Sequence, residues 1–180
     1  MNVLYLSGSP RKKSNSEFLL SRLMAVTGGE MIKLADLDIR PCRSCWACRK
    51  VGHCVIDDDM ARVVVPKLLA ANAVVLGSPV YFNNVSAQLK AMIDRTWALR
   101  GQLTDKVGGA VVVGRRYGAE GAITAINATF LKHQMIPANR GVCGLAFASG
   151  EIAQDAESLA AADRLAERIV SLLTREGECE

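Results

Sequence analysis

Runs of β-branched and apolar residues alternate along this chain with stretches of helical period, and no other feature restricts its fold as much. Five strands are expected: Asn2 to Ser7, Glu30 to Leu34, Ala73 to Gly77, Gly108 to Gly114 and Gly141 to Ala148. The first, third and fourth are nearly continuous hydrophobic runs, as strands covered on both faces require. Helices are expected from Ser14 onward and at Asp58 to Ala70, Val85 to Leu99, Ala119 to His133 and Asp155 to Thr174. In the last of these Leu159, Ala162, Leu165, Ile169 and Leu172 trace one apolar stripe. The pattern predicts an α/β protein, a parallel sheet wrapped by helices on both faces.

Local signals sharpen some boundaries. Ser14-Asn15-Ser16-Glu17 has the S-x-x-E form of a capping box, directly before Phe18-Leu19-Leu20. Pro66 falls inside the expected Asp58 to Ala70 helix, so that helix either kinks there or starts later. With 180 residues, half of them hydrophobic, one domain spanning 1–180 is expected. No apolar stretch approaches the roughly 20 residues of a membrane span. The start lacks a basic leader and a cleavage site, so a cytoplasmic protein with reduced thiols is expected. A net charge of +4 without a long basic block argues against bulk nucleic-acid binding.

The long insertion after the second strand carries Cys42, Cys45, Cys48 and Cys54, spaced C-x2-C-x2-C-x5-C, within a loop at 41–55. Thiolates at such intervals gather round one small volume, as a 4Fe-4S cluster requires. Structural zinc, which takes its ligands from two separated pairs, and free thiols or a redox disulfide are the competing readings. Cys143, between apolar and glycine residues, is expected to be a buried small hydrophobe. Cys179 lies on a terminal tail. Trp46 shields a cluster, packs at an interface or is a plain packing tryptophan.

Three further loops follow strand ends. The first, Ser7 to Ser16, gathers hydroxyls, amides and Arg11 at a helix N-terminus and suits a monophosphate, since neither a dinucleotide fingerprint nor a Walker loop is present. Ser9, Arg11, Ser14, Asn15 and Ser16 are its candidate ligands. The second, Pro79, Val80, Tyr81, Phe82 and Asn83, leaves the third strand, where ligands bind in open parallel sheets. Its aromatics either support a planar ring or cap the core. The third contributes Gly114, Arg115, Tyr117 and Gly118.

The motifs Gly8-Ser9-Pro10-Arg11, Ser78-Pro79-Val80-Tyr81 and Asp94-Arg95, with the cysteine spacing, resemble the iron-sulfur flavoproteins within the NADPH-dependent FMN reductase and flavodoxin-like superfamily. The resemblance covers about residues 1–140. It implies a five-stranded parallel sheet of order 2-1-3-4-5, FMN at the three loops, and a 4Fe-4S cluster on Cys42, Cys45, Cys48 and Cys54. It also implies a homodimer or homotetramer in which one subunit's cluster lies near a neighbour's flavin.

Such a protein would transfer electrons between a reduced carrier, such as ferredoxin, and an acceptor. The rivals are an NAD(P)H-dependent FMN or quinone reductase without a functional cluster, and a redox-sensing module. No Ser-His-Asp arrangement is recognisable. Of the two histidines, His53 reads as a solvated loop residue or a neighbour of the cluster ligands, and His133 as a helix-end residue favoured by the dipole. Asp57-Asp58-Asp59 reads as the acidic start of a helix.

Overall fold

A computed structural model describes residues 1–175; Cys179 lies outside the described residues. The strands are β1 (Val3–Ser7), β2 (Glu30–Lys33), β3 (Ala73–Pro79), β4 (Val107–Gly114), β5 (Ile136–Pro137) and β6 (Val142–Leu145). The helices are α1 (Asn15–Thr27), α2 (Ala47–Val51), α3 (Val65–Ala70), α4 (Ala87–Arg95), α5 (Ala119–Lys132) and α6 (Ala156–Arg175). All pairings are parallel, in the order β2-β1-β3-β4-β5, with β6 also on β4.

The expected order therefore holds, with six strands in place of five. The outermost position is shared by two short strands: Ile136 pairs with Val107, and Val142 pairs with Val111 further along β4. Pro137 supplies no amide to continue the first pairing, and Asn139 accepts from Gly141 N–H at 2.7 Å to form the intervening turn.

Strand alternation divides the core into two layers. Leu4, Leu6, Val74, Leu76 and Val112 pack under Met60, Leu68, Leu89, Met92, Ile126 and Phe130, on the face covered by α3, α4 and α5. Val3, Tyr5, Val75, Val111 and Val142 meet Leu19, Leu20, Leu23, Leu165 and Ile169 from α1 and α6. At Pro66 the chain neither breaks nor kinks inside a regular helix. Met60–Val64 forms a wide π-helical turn, Val65 N–H bonds back to Met60 O, and Pro66 sits in the first turn of α3 where its missing donor costs nothing.

Three local expectations are corrected. Ser14 Oγ accepts from Glu17 N–H at 3.2 Å, but the Glu17 carboxylate turns to Ser7 Oγ (2.7 Å) and Lys33 (3.0 Å), so only half of the capping box forms. Cys143 is exposed, because β6 lies at the sheet edge and alternates buried and open positions. His133 is 4% exposed and packs its Nε2 against Thr96 Oγ1 at 2.9 Å. Burial, with Lys132 beside it, lowers its pKa, opposite to the dipole effect expected at a helix end.

Candidate functional site

The carboxyl ends of β1, β3, β4 and β6 open onto one edge of the sheet. After β1, Gly8 N–H bonds to Gly77 O at 2.8 Å and Ser86 Oγ donates to Gly8 O at 2.6 Å, which ties the first loop to the cap of α4. The loop then delivers buried Ser9, and Ser14 caps α1 in extended conformation. Ser9, Arg11, Ser14, Asn15, Ser16, Pro79, Val80, Tyr81, Gly114 and Arg115 line one cleft of about 160 Å³. A wider cleft of about 640 Å³ adjoins it through shared Val80 and Arg115 and adds Phe82, Asn83, Arg116 and Tyr117. Thirteen of the fourteen sequence candidates thus line this edge.

Gly118, the fourteenth, acts from behind. Tyr81 and Asn84 exchange backbone hydrogen bonds at 2.9 and 3.0 Å around Phe82 and Asn83, both with positive φ. This tight turn rests on the start of α5: a Cβ on Gly118, whose φ is +83°, would stand 2.2 Å from Asn83 Oδ1, and one on Gly121 would stand 2.0 Å from Asn83 O. Phe82 does not cap the core; it is fully exposed in a left-handed backbone conformation that costs a bulky residue about 1–2 kcal/mol. Tyr117 is also exposed across the same cleft.

A fourth wall, Ala146 and Phe147, escaped the sequence reading. Its loop is held from both sides. Glu151 accepts Phe147 and Ala148 N–H at 2.5 and 2.7 Å, bonds that lower the Glu151 pKa. Asn15 donates to Ala148 O and accepts from Gly150 N–H, each at 2.8 Å. The Asn15 side chain is therefore occupied, and what it can offer an anion is its backbone N–H at the helix N-terminus. Arg115 covers the Phe147 ring at 4.2 Å. The usable signal was the end of the last strand, which in an open sheet belongs to the same crevice.

The insertion between β2 and α3 forms the second feature. Ser44 and Trp46 both take positive φ, 51° and 58°, and curl the chain before α2. Cys42, Cys45, Cys48 and Cys54 line one cavity of about 420 Å³ together with Trp46, Val55, Ile56 and Trp97. Ser44 N–H approaches Cys42 Sγ at 3.4 Å. Among the described residues, no three His, Cys, Asp or Glu side chains are grouped around a single ion position. A four-iron cage asks for a different arrangement, one thiolate at each corner rather than four on one ion. Trp46 meets Trp97 edge to face, centroids 6.3 Å apart, while Arg100 and Lys132 lie over the Trp97 ring at 4.7 and 4.9 Å.

Asp58 stands at the start of the helical segment, as expected, its carbonyl accepting from Ala61 and Arg62 N–H, and its carboxylate is in addition a buried partner of Arg95. Arg95 also donates to Arg40 O at 2.7 Å and Ile56 O at 3.2 Å, so one guanidinium ties the two ends of the cysteine insertion to α4.

A doubly wound parallel sheet with a cleft at the carboxyl ends of its strands defines a flavodoxin-like α/β protein. The chain belongs to the NADPH-dependent FMN reductase family, whose profile matches residues 1–150, and within it to the iron-sulfur flavoproteins. It is an oxidoreductase. It is 38% identical over 189 residues to an iron-sulfur flavoprotein of Methanocaldococcus jannaschii, covering 96% of this chain and 97% of the relative. An iron-sulfur flavoprotein of Methanosarcina thermophila is 37% identical over 146 residues, 76% of each chain. The solved structure of RosB with a bound 8-demethyl-8-formylriboflavin-5'-phosphate intermediate superposes with a TM-score of 0.82 at 15% identity, over 99% of this chain and 81% of that one, a likeness of fold. No helix among the described residues is long and apolar enough to cross a membrane.

Proposed function

We propose that this protein binds one FMN at the carboxyl edge of the sheet and one 4Fe-4S cluster on Cys42, Cys45, Cys48 and Cys54. It passes electrons between a reduced carrier such as ferredoxin and an acceptor. The observation that carries the proposal is the single cavity lined by all four cysteines. The names of the relatives point the same way.

The residues of the narrow cleft fit a phosphate. Ser9, Ser14 and Ser16 supply hydroxyls, Arg11 a charge, and the first turn of α1 free backbone amides. The wider cleft, walled by Val80, Phe82, Asn83, Arg115 and Tyr117, suits a planar ring left open on one side. When bound, FMN exchanges electrons in pairs or singly and a 4Fe-4S cluster exchanges one at a time. This chain's part is to hold both and to tune them. Phe82 and Tyr117 at one site, and Trp46, Val51 and Val55 at the other, leave apolar surface exposed, which supports assembly as a homodimer or homotetramer.

Arg115 and Arg116 beside the open cleft favour a second reading, direct reduction by NAD(P)H with those cations on its phosphates. Anaerobic reconstitution tests the first. About four irons and four sulfides per chain are expected, with loss of the cluster in Cys45→Ala and in Cys48→Ala. Full iron retention by both variants sinks the assignment.

A further inference from the structure

Arg95 has five N–H donors in a rigid fork, and the structure accounts for those on two nitrogens only. Nη1 bonds to Asp58 Oδ2 and Arg40 O, both at 2.7 Å, and Nη2 to Asp58 Oδ1 at 3.0 Å and Ile56 O at 3.2 Å. The side chain is wholly buried, and Nε has no hydrogen-bond partner. A buried donor left unpaired costs about 1–3 kcal/mol, so this Nε–H is an anomaly in an otherwise saturated group.

Cys54 is the neighbour that can resolve it. Arg95 and Cys54 line the same small cavity of about 180 Å³, closed by Met60, Val65 and Leu99. Cys54 also lines the large cavity shared with Cys42, Cys45 and Cys48. Cys54 thus stands between the two spaces. The Arg95 fork grips Ile56 O and Asp58, two and four residues beyond Cys54, so the segment bearing that sulfur is anchored to the same guanidinium. Burial pushes the Arg95 pKa down, and the bonds to Asp58 with the Cys54 sulfur nearby more than reverse it.

We propose that Arg95 is a positioning residue for the fourth thiolate: its Nε–H donates to Cys54 sulfur, fixes that ligand, and raises the reduction potential of the cluster it holds. This role rests on the cluster assignment above. A donor to ligand sulfur favours the reduced, more negative cluster, and second-sphere bonds of this kind set potentials. Arg43, Arg49 and Lys50 are also cations of the loop, but they are exposed and screened by salt. Arg95 is not, so its effect should persist at high ionic strength.

The experiment is a spectroelectrochemical titration of anaerobically loaded protein in 0.5 M salt, roughly where the Debye length has shrunk to a few ångströms. Wild type is compared with Arg95→Lys, with the charge-neutral pair Asp58→Asn/Arg95→Gln, and with Arg49→Gln; circular dichroism verifies folding. At the wild-type midpoint, both Arg95 variants should show a reduced-to-oxidised ratio about tenfold lower, a shift of about 59 mV for one electron. Arg49→Gln should stay within about twofold at that salt. A folded Arg95 variant that retains about three irons, as expected of Cys54→Ser, supports the same role by detaching Cys54. Unchanged potentials in loaded Arg95 variants overturn the role alone. A wild-type chain that takes up no iron overturns the cluster assignment as well.

Discussion

Asp58 and Arg95 meet as a two-pronged ion pair, at 2.7 and 3.0 Å, with neither side chain exposed. Asp58 also accepts from Arg40 N–H at 3.0 Å, so the pair closes the base of the cysteine insertion. Truncating one partner leaves a buried charge alone. Asp58→Ala should therefore lose about 3–5 kcal/mol of stability, seen as a lower urea midpoint at an unchanged slope. Burial raises the Asp58 pKa, but Arg95 and the amides outweigh it and hold the carboxyl below its ordinary value. The contribution is present above the unfolded carboxyl pKa of about 3.9 and is lost as pH falls through the folded value. Asp58→Asn should flatten that acid limb.

Much of this was legible in the sequence, for identifiable reasons. The central strands followed from hydrophobic runs such as Ala73 to Leu76, as strands covered on both faces require, and their order from the resemblance to flavodoxin-like proteins. The cleft residues followed from loops placed at strand ends. What sequence missed depended on contacts across the chain. Asp58 looks like any acidic helix start until Arg95, 37 residues away, is folded against it. Glu17 abandons its capping box because Lys33 of the neighbouring strand competes for the carboxylate. Phe147 becomes a cleft wall only because Glu151 and Asn15 fix its loop.

Gly118 supports the cleft proposed for FMN without lining it. Gly118→Ala places a Cβ 2.2 Å from Asn83 Oδ1 at a φ of +83°, so the Phe82–Asn83 turn must move. The expected result is FMN affinity weakened about tenfold, with about 1–2 kcal/mol lost in stability from the left-handed residue. Flavin fluorescence quenching measures the first and thermal unfolding of the flavin-free chain the second.

Ser16 tests the phosphate end. It is buried at the start of α1, its Oγ 2.9 Å from Ser14 Oγ. Ser16→Asp puts a negative charge where the helix N-terminus should receive an anion, and FMN affinity should drop at least about tenfold through like-charge repulsion. Riboflavin, which lacks the phosphate, is the control. Equal losses for both ligands would show a damaged cleft rather than a phosphate site.

His133 makes stability depend on pH near neutrality. Burial, helped by Lys132, keeps its ring neutral in the folded chain, and Nδ1 has no partner there. Between the folded pKa and the ordinary value of about 6.5, the unfolded chain binds the extra proton, so stability rises with pH across that window. His133→Gln, which can still meet Thr96 Oγ1, should remove the slope that lies below about pH 6.5. A slope that survives the substitution would assign it to another group.

The proposed protein donor is tested at the cysteine loop. Arg43, Arg49 and Lys50 are exposed around the cavity, and an acidic carrier would be steered to them at a rate that falls as salt screens the charges. Stopped-flow mixing with reduced ferredoxin should give a rate constant dropping about tenfold or more between low and high salt, and the triple change to Gln should remove most of that dependence. NADPH should bleach the flavin slowly, and the triple change should leave that rate alone, because the loop charges do not govern approach of a nicotinamide to the Arg115 cleft. The opposite pattern, fast NADPH bleaching with ferredoxin reduction absent or insensitive to salt, would transfer the donor role to NADPH and make Arg115 and Arg116 its first contacts.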